Sequence, residues 1–315
     1  MIYRALRWVA GIMLHWFYSD IELTGAENVP SSGSLLVAVN HPNALVDSLI
    51  VAWLIPRRVT MTAKATLVEN PLIALVFRMA GVVPLRRAKD EKARDGAAVD
   101  RNRNDRSFRE IVDVLKGGGA VLIFPEGKSN SEERLAPLKS GLARVALQAR
   151  REGVKNLAIL PLGLTFEDKA APGSRVRAQA TPPILIDTWS GDDARDLTIA
   201  VGTQLSSVAG VGEFRLLREG VAAPQSSLVR VAAWWGATAH QLPVRFARQL
   251  ALWKSRNADE PAMLTMLFGA AFILASYAIH LTIVGLLTRS LLVSALYLTT
   301  LVYGAYWAAF AKHRR

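Results

Sequence analysis

Two long stretches without an Asp, Glu, Lys or Arg set the first constraint on how this chain folds. Residues 261–288, PAMLTMLFGAAFILASYAIHLTIVGLLT, and residues 290–311, SLLVSALYLTTLVYGAYWAAFA, are each long enough for a helix to cross a bilayer, which takes about 20 apolar residues. They meet at Thr288, Arg289 and Ser290, so the pair predicts a tight transmembrane hairpin. Tyr303, Tyr306, Trp307 and Phe310 crowd the last turns, where an interfacial aromatic belt is expected. The hairpin's ends are basic. Lys312, His313, Arg314 and Arg315 follow the second run, and residues 215–256 set seven basic side chains against Glu219 alone, whereas the turn carries only Arg289. The positive-inside rule therefore predicts both ends of the hairpin, and the domain before it, on the cytoplasmic face.

The chain as a whole is too apolar to be disordered: 51% of the 315 residues are hydrophobic and 20% are charged. The absence of cysteine excludes disulfides and thiolate zinc sites. Thirty-eight Lys and Arg against 26 Asp and Glu leave a net charge of +12, which calls for an anionic partner such as nucleic acid, membrane headgroups or a phosphorylated substrate. Nucleic acid is disfavoured, because the basic residues flank hydrophobic spans and the Arg-rich stretch at 86–109 carries one aromatic, Phe108, rather than a repeated interleaving of them. The five histidines, at 15, 41, 240, 280 and 313, form no local pair, so no metal site is expected.

At the N-terminus the apolar stretch Trp8–Leu14 is short and lacks a small-residue cleavage site, which predicts an uncleaved segment. Ile2, Leu6, Val9, Met13 and Phe17 recur at helical spacing, with Arg4, Arg7, Gly11 and His15 on another face, so residues 1–20 read as an amphipathic membrane-surface helix, for which docking on a protein core is the alternative. Residues 216–260, with Trp234, Trp235, Trp253, Arg245, Arg248 and Lys254, read as a basic amphipathic linker whose helix lies on the surface and leads into the hairpin of 261–315.

Between these flanks, residues 21–215 alternate strands and helices. Ser34–Val39, Arg58–Ala63, Gly81–Leu85, Ala120–Phe124, Leu157–Leu164 and Arg175–Ala180 are expected strands; Ala44–Leu54, Pro71–Met79, Ser107–Leu115 and Lys139–Arg151 are expected helices. Residues 86–105 read as a loop. This order argues for an α/β sheet flanked by helices, with its site at strand ends.

Two clusters sit at such ends. His41 follows a buried strand, precedes Pro42 and a helix start, and is trailed by Asp47. A carboxylate on one ring nitrogen leaves the other free to take a proton from a hydroxyl, although the same pair also suits a helix-capping arrangement. The second cluster is Phe124-Pro125-Glu126-Gly127, with Lys128 next and Pro137-Leu138-Lys139-Ser140-Gly141 downstream. Gly127-Lys128-Ser129 is not a phosphate-binding loop, because Leu122 occupies the position of its required glycine. The nucleophile elbow G-x-S-x-G is also missing.

Here a resemblance becomes specific. N-H-P-N-A-L-V-D at 40–47, G-V-V-P-L-R-R at 81–87, F-P-E-G at 124–127 and I-L-P-L-G-L at 159–164 occur in the order of the four blocks of the glycerolipid acyltransferase superfamily. The chain resembles its membrane-bound glycerol-3-phosphate and 1-acylglycerol-3-phosphate acyltransferases over roughly residues 20–215. The resemblance implies an O-acyltransferase of phospholipid synthesis without a cofactor, drawing on acyl-CoA or acyl carrier protein and acting on a phosphorylated glycerol or lyso-lipid at a membrane. It implies His41 as general base, Asp47 as its orienting partner and Arg87 toward the acceptor's phosphate. From the residues themselves, Lys64, Arg86, Arg87 and Lys128 at or just after expected strand ends read either as cations for that phosphate or as a solvated basic rim, Glu126 and the Gly127 N–H are expected to hold the acceptor or the developing oxyanion, and Asn43 is placed toward substrate. The spacing H-x5-D replaces the more common H-x4-D, Pro84 stands at an aromatic position of the second block, and Lys128-Ser129 replaces the usual Thr-Arg. These departures bear on the acceptor. An acyltransferase for a lyso-lipid without phosphate and a non-catalytic lipid-binding protein are the competing expectations.

Overall fold

The computed structural model describes residues 2–64, 74, 77–78, 81–85, 101–130, 132, 134–210, 226–257 and 260–312. Among them, a mixed seven-stranded sheet has the order β1-β8-β7-β2-β6-β3. The strands are β1 (Asp20–Thr24), β2 (Ser34–Val39), β3 (Val59–Thr60), β6 (Ala120–Ile123), β7 (Leu157–Phe166), β8 (Arg175–Ala180) and β9 (Ile184–Leu185), which pairs with β7. β2 lies parallel to both β6 and β7, while β8 and β9 run antiparallel to β7. A second sheet pairs β4 (Thr62–Lys64) with β5 (Val83–Leu85) in parallel.

β2 is buried along its whole length, as expected of a central strand covered on both faces. Its side chains alternate between two cores. Leu35, Val37 and Val39 join the core under α1 (Ile2–Phe17), α2 (Ala44–Leu54) and the first turns of α7 (Pro261–Thr288). Leu36 and Ala38 join the core under α3 (Arg101–Lys116), α4 (Gly141–Arg151) and α5 (Ala194–Ser206).

Several expectations shift. The strand expected at 58–63 splits between two sheets as β3 and β4, and α3 begins inside the expected loop at 86–105. The expected helix at 71–79 and residues 86–100 fall largely or wholly outside the described residues. Residues 2–17 are helical, and the helix docks on the protein core along one face: Ala10, Gly11, Leu14 and Phe17 are buried, and Arg7 donates to the Trp53 carbonyl at 2.8 Å. Leu6, Trp8, Val9 and Ile12 point outward.

The largest difference is α6 (Ser227–Lys254). Rather than lying alone on a surface, it packs along both α7 and α8 (Leu291–Lys312), making a three-helix bundle. A Cβ on Gly236 would sit 1.9 Å from the Gly304 carbonyl oxygen, so α6 and α8 touch backbone to backbone. Polar side chains are paired inside the bundle, with His240 Nε2 2.7 Å from the Tyr277 hydroxyl and His280 Nδ1 2.7 Å from the Tyr297 hydroxyl. α7 and α8 are both long and apolar enough to cross a membrane, and they turn Leu274, Leu286, Leu287, Leu291 and Leu292 outward.

Candidate active site

β2 and β6 are neighbouring parallel strands, so the segments after Val39 and Ile123 leave the sheet side by side. Asn40 pins the end of β2: its side chain donates to the Leu164 carbonyl at 2.9 Å and accepts the Leu164 N–H at 2.6 Å. His41 follows, its ring stacked on Phe124 with centroids 3.8 Å apart and planes 11° from parallel.

The extra residue in H-x5-D is absorbed at the start of α2. Asn43 lies outside both the helical and the extended regions at φ −138° and ψ 43°, and Ala44 takes the left-handed region at φ 47° before the helix begins. This turn brings Asp47 back beneath the imidazole. His41 Nδ1–H donates to Asp47 Oδ2 at 2.9 Å, the same oxygen accepts the Asn43 N–H at 2.8 Å, and Nε2 is left for a substrate proton. Asp47 is fully buried and the His41 side chain is 13% exposed. Burial pushes the Asp47 carboxyl upward, opposed by the hydrogen bonds from His41 and Asn43 and by the Lys169 ammonium.

Glu126, expected to touch substrate, has both oxygens committed to the backbone. Oε1 accepts the His41 N–H at 2.8 Å and Oε2 accepts the Ala136 N–H at 2.9 Å, in a side chain 3% exposed. It clasps the loop after β2 to the loop before α4. The Gly127 N–H, expected to serve an oxyanion, donates to the Phe124 carbonyl at 3.0 Å within a turn where Gly127 has φ 72°. Asn43, expected toward substrate, is 1% exposed, and its amide donates to the Tyr18 hydroxyl and the Lys169 carbonyl.

Of the expected cations, Lys128 is exposed beside Gly127. Lys64 ends β4 in register with Leu85, the last residue of β5. The Lys64 side chain and both Arg86 and Arg87 lie outside the described residues. Lys139 was not singled out by sequence reasoning. Its Nζ lies 3.2 Å from where a Gly127 Cβ would be, which sets a cation over the F-P-E-G loop, and its place in P-L-K-S-G was the available signal. Among the described residues no three His, Asp or Glu side chains converge as a metal site would require.

Residues 20–165 match a family model described as Acyltransferase. The chain is similar to the 1-acyl-sn-glycerol-3-phosphate acyltransferase of Cocos nucifera, with 29% identity over 190 residues, 58% of this chain and 55% of that protein. It is also similar to the enzyme of that name from Limnanthes alba, with 26% identity over 200 residues, 60% of this chain and 63% of the relative. The match thus spans little more than half the length of these relatives. In fold it is similar to the 1-acyl-sn-glycerophosphate acyltransferase of Thermotoga maritima, with a TM-score of 0.51, 19% identity, and coverage of 65% of this chain and 77% of that one. The family match takes in both the His41–Asp47 pair and Phe124–Gly127, set at adjacent strand ends, agrees with the four sequence blocks, and identifies residues 20–165 as an acyltransferase domain.

Proposed function

We propose that the protein is a membrane-bound O-acyltransferase that moves a fatty acyl chain from a thioester to a hydroxyl of 1-acylglycerol-3-phosphate or glycerol-3-phosphate. The observation that carries the proposal is the 2.9 Å bond between His41 Nδ1 and the buried Asp47 carboxylate. It fixes the imidazole in the tautomer whose Nε2 accepts a proton. Nε2 takes the acceptor's hydroxyl proton as its oxygen attacks the thioester carbonyl. The tetrahedral oxyanion collapses to the ester, and the thiolate leaves with the proton returned by the imidazolium. No cysteine exists to carry an acyl-enzyme thioester, and this scheme requires no covalent intermediate.

The acceptor's phosphate calls for fixed cations, for which Lys64, Arg86, Arg87, Lys128 and Lys139 are the candidates. The donor is acyl-CoA or acyl carrier protein. The α7–α8 hairpin anchors the domain to the membrane, with its basic ends on the cytoplasmic face. The names of the relatives favour the lyso-lipid phosphate among acceptors.

The test is purified protein with labelled acyl donor against acceptors with and without phosphate. Transfer to the phosphorylated acceptors is expected; transfer only to unphosphorylated lyso-lipids would move the enzyme to another acceptor class, and transfer to none would remove the enzymatic reading. Arg87→Ala is expected to raise the acceptor KM with the donor KM nearly unchanged, since a lost charge-assisted pair costs about 1.5–3 kcal/mol.

A further inference from the structure

The dyad is held from behind by residues that lie outside the family match. Tyr18, between α1 and β1, is fully buried, and Lys169 follows β7; both fall just beyond residues 20–165. The Tyr18 hydroxyl accepts from Asn43 Nδ2 at 2.8 Å and donates to the Lys169 carbonyl at 3.1 Å, and Asn43 Nδ2 donates to that same carbonyl at 3.1 Å. These three bonds close a triangle. A fourth runs from Lys169 Nζ to the Pro42 carbonyl at 3.2 Å, so the loop from His41 to Ala44 is gripped from two sides. Through its backbone N–H, Asn43 passes this restraint directly to Asp47 Oδ2.

We propose that Tyr18, Asn43 and Lys169 form a positioning network that sets the Asp47 carboxylate against His41 and thereby fixes the reactivity of the base. The proposal rests on the acyltransferase reading for its kinetic consequences but not for its geometry. Three features of the site support it. The turn it restrains contains Ala44 at φ 47°, a conformation that a residue with a Cβ leaves unless held. Asp47 Oδ1 is buried with no hydrogen-bond partner among the described residues, so Oδ2 alone carries both donors and small rotations of the carboxylate are unopposed from the other side. The charged and titratable groups around Asp47 are His41, Lys169 and Tyr18, with Asp168 acting on Tyr18 in turn. Among these, Lys169 is the permanent cation that favours the ionised carboxylate.

The test compares Tyr18→Phe and Lys169→Met with Thr24→Val, a control that removes a hydroxyl bonded to the Ala178 carbonyl on the same N-terminal segment. Both network variants are expected to lower kcat about 10- to 100-fold with both KM values nearly unchanged, since a misplacement of 1 Å at a reacting group costs on the order of 10²-fold. Both are also expected to move the acid limb of the kcat–pH profile to higher pH. In Lys169→Met a cation that opposes protonation of the dyad is gone, and in Tyr18→Phe the Asn43 N–H holds the carboxylate less well. Thr24→Val is expected to match the wild type in both readouts. The Asp47 carboxyl midpoint, followed by NMR and assigned with Asp47→Asn, needs no turnover and is expected to rise in both network variants. If the wild type transfers no acyl group, the enzymatic reading fails while this midpoint still decides the network. If Tyr18→Phe does not fold, Lys169→Met carries the same readouts. Folded variants with wild-type kcat, pH limb and Asp47 midpoint would overturn the proposal.

Discussion

At the scale of single residues, the site separates function from stability. His41→Ala is expected to lower transfer by about 10²- to 10⁴-fold with folding intact, the range of a lost general base; near-normal turnover in the folded variant would sink the mechanism. Asp47 makes the sharper case. Its carboxyl titrates above the ordinary range because burial outweighs its partners, so the native state binds that proton more tightly than the unfolded chain does. The stability this contributes is complete below the unfolded value and is lost as pH rises through the raised native value. Asp47→Asn keeps an oxygen to accept from His41 and Asn43 and escapes the cost of burying a charge. It is therefore expected to lose most of its activity while unfolding at least as late as the wild type at neutral pH, with its relative advantage shrinking on acidification. Thermal unfolding across that pH range checks the sign; a variant less stable than the wild type at neutral pH and catching up only on alkalisation would contradict it. Glu126 was legible as part of a motif but not in its role, because F-P-E-G does not reveal that both oxygens are spent on the His41 and Ala136 N–H groups.

At the scale of elements, regular hydrophobic patterning was readable and close packing was not. Uncharged runs such as Ser34–Val39, Ala120–Ile123 and Leu157–Leu164 announce β2, β6 and β7, because burial on both faces leaves little room for polar side chains. β1, with the sequence DIELT, is only half-buried at the sheet's edge and gives no such signal, and α5 was also missed. α6 was misread for a different reason. The residues it buries are Gly236, Ala247 and Ala251, and small side chains add almost nothing to an apolar periodicity while allowing backbones to meet. In α1 the small Ala10 and Gly11 share the docked face with Leu14 and Phe17. Two substitutions test these junctions. Gly236→Leu is expected to break the α6–α8 contact, read as earlier thermal unfolding and faster proteolysis of the bundle in membranes; an unchanged bundle would mean that the Gly236–Gly304 approach is not used. Ala44→Gly is expected to be neutral or stabilising, whereas Ala44→Val should cost about 1–3 kcal/mol, because a β-branched side chain resists the left-handed region.

At the scale of the whole molecule, the anchor and the acyltransferase domain share a core. Ala262, Thr265 and Met266 of α7 are buried at 0–1% exposure, Ala262 and Met266 in one cluster with Leu14, Phe17 and Val39, and a Cβ on Gly269 would meet the Trp16 ring at 2.4 Å. The hairpin is thus no detachable tail, and cutting the chain before Pro261 would open the domain as well as remove the anchor. Point substitutions probe the two roles separately. Met266→Ala is expected to destabilise the acyltransferase domain by about 2–5 kcal/mol, the cost of truncating a fully buried Met, while leaving the protein in the membrane. Full-length protein is expected to stay in the pellet after alkaline carbonate, and its release would count α7 and α8 as a soluble pair. Because the chain has no cysteine, a single introduced one reports topology directly. In sealed vesicles an impermeant maleimide should label Arg256→Cys from the face that carries the acyltransferase domain and Arg289→Cys only from the opposite face. Labelling of both from the domain's face would mean that the hairpin enters the bilayer without crossing it. The core contact through Met266 would then stand while the crossing failed, which separates how the domain is built from how it is held at its substrate.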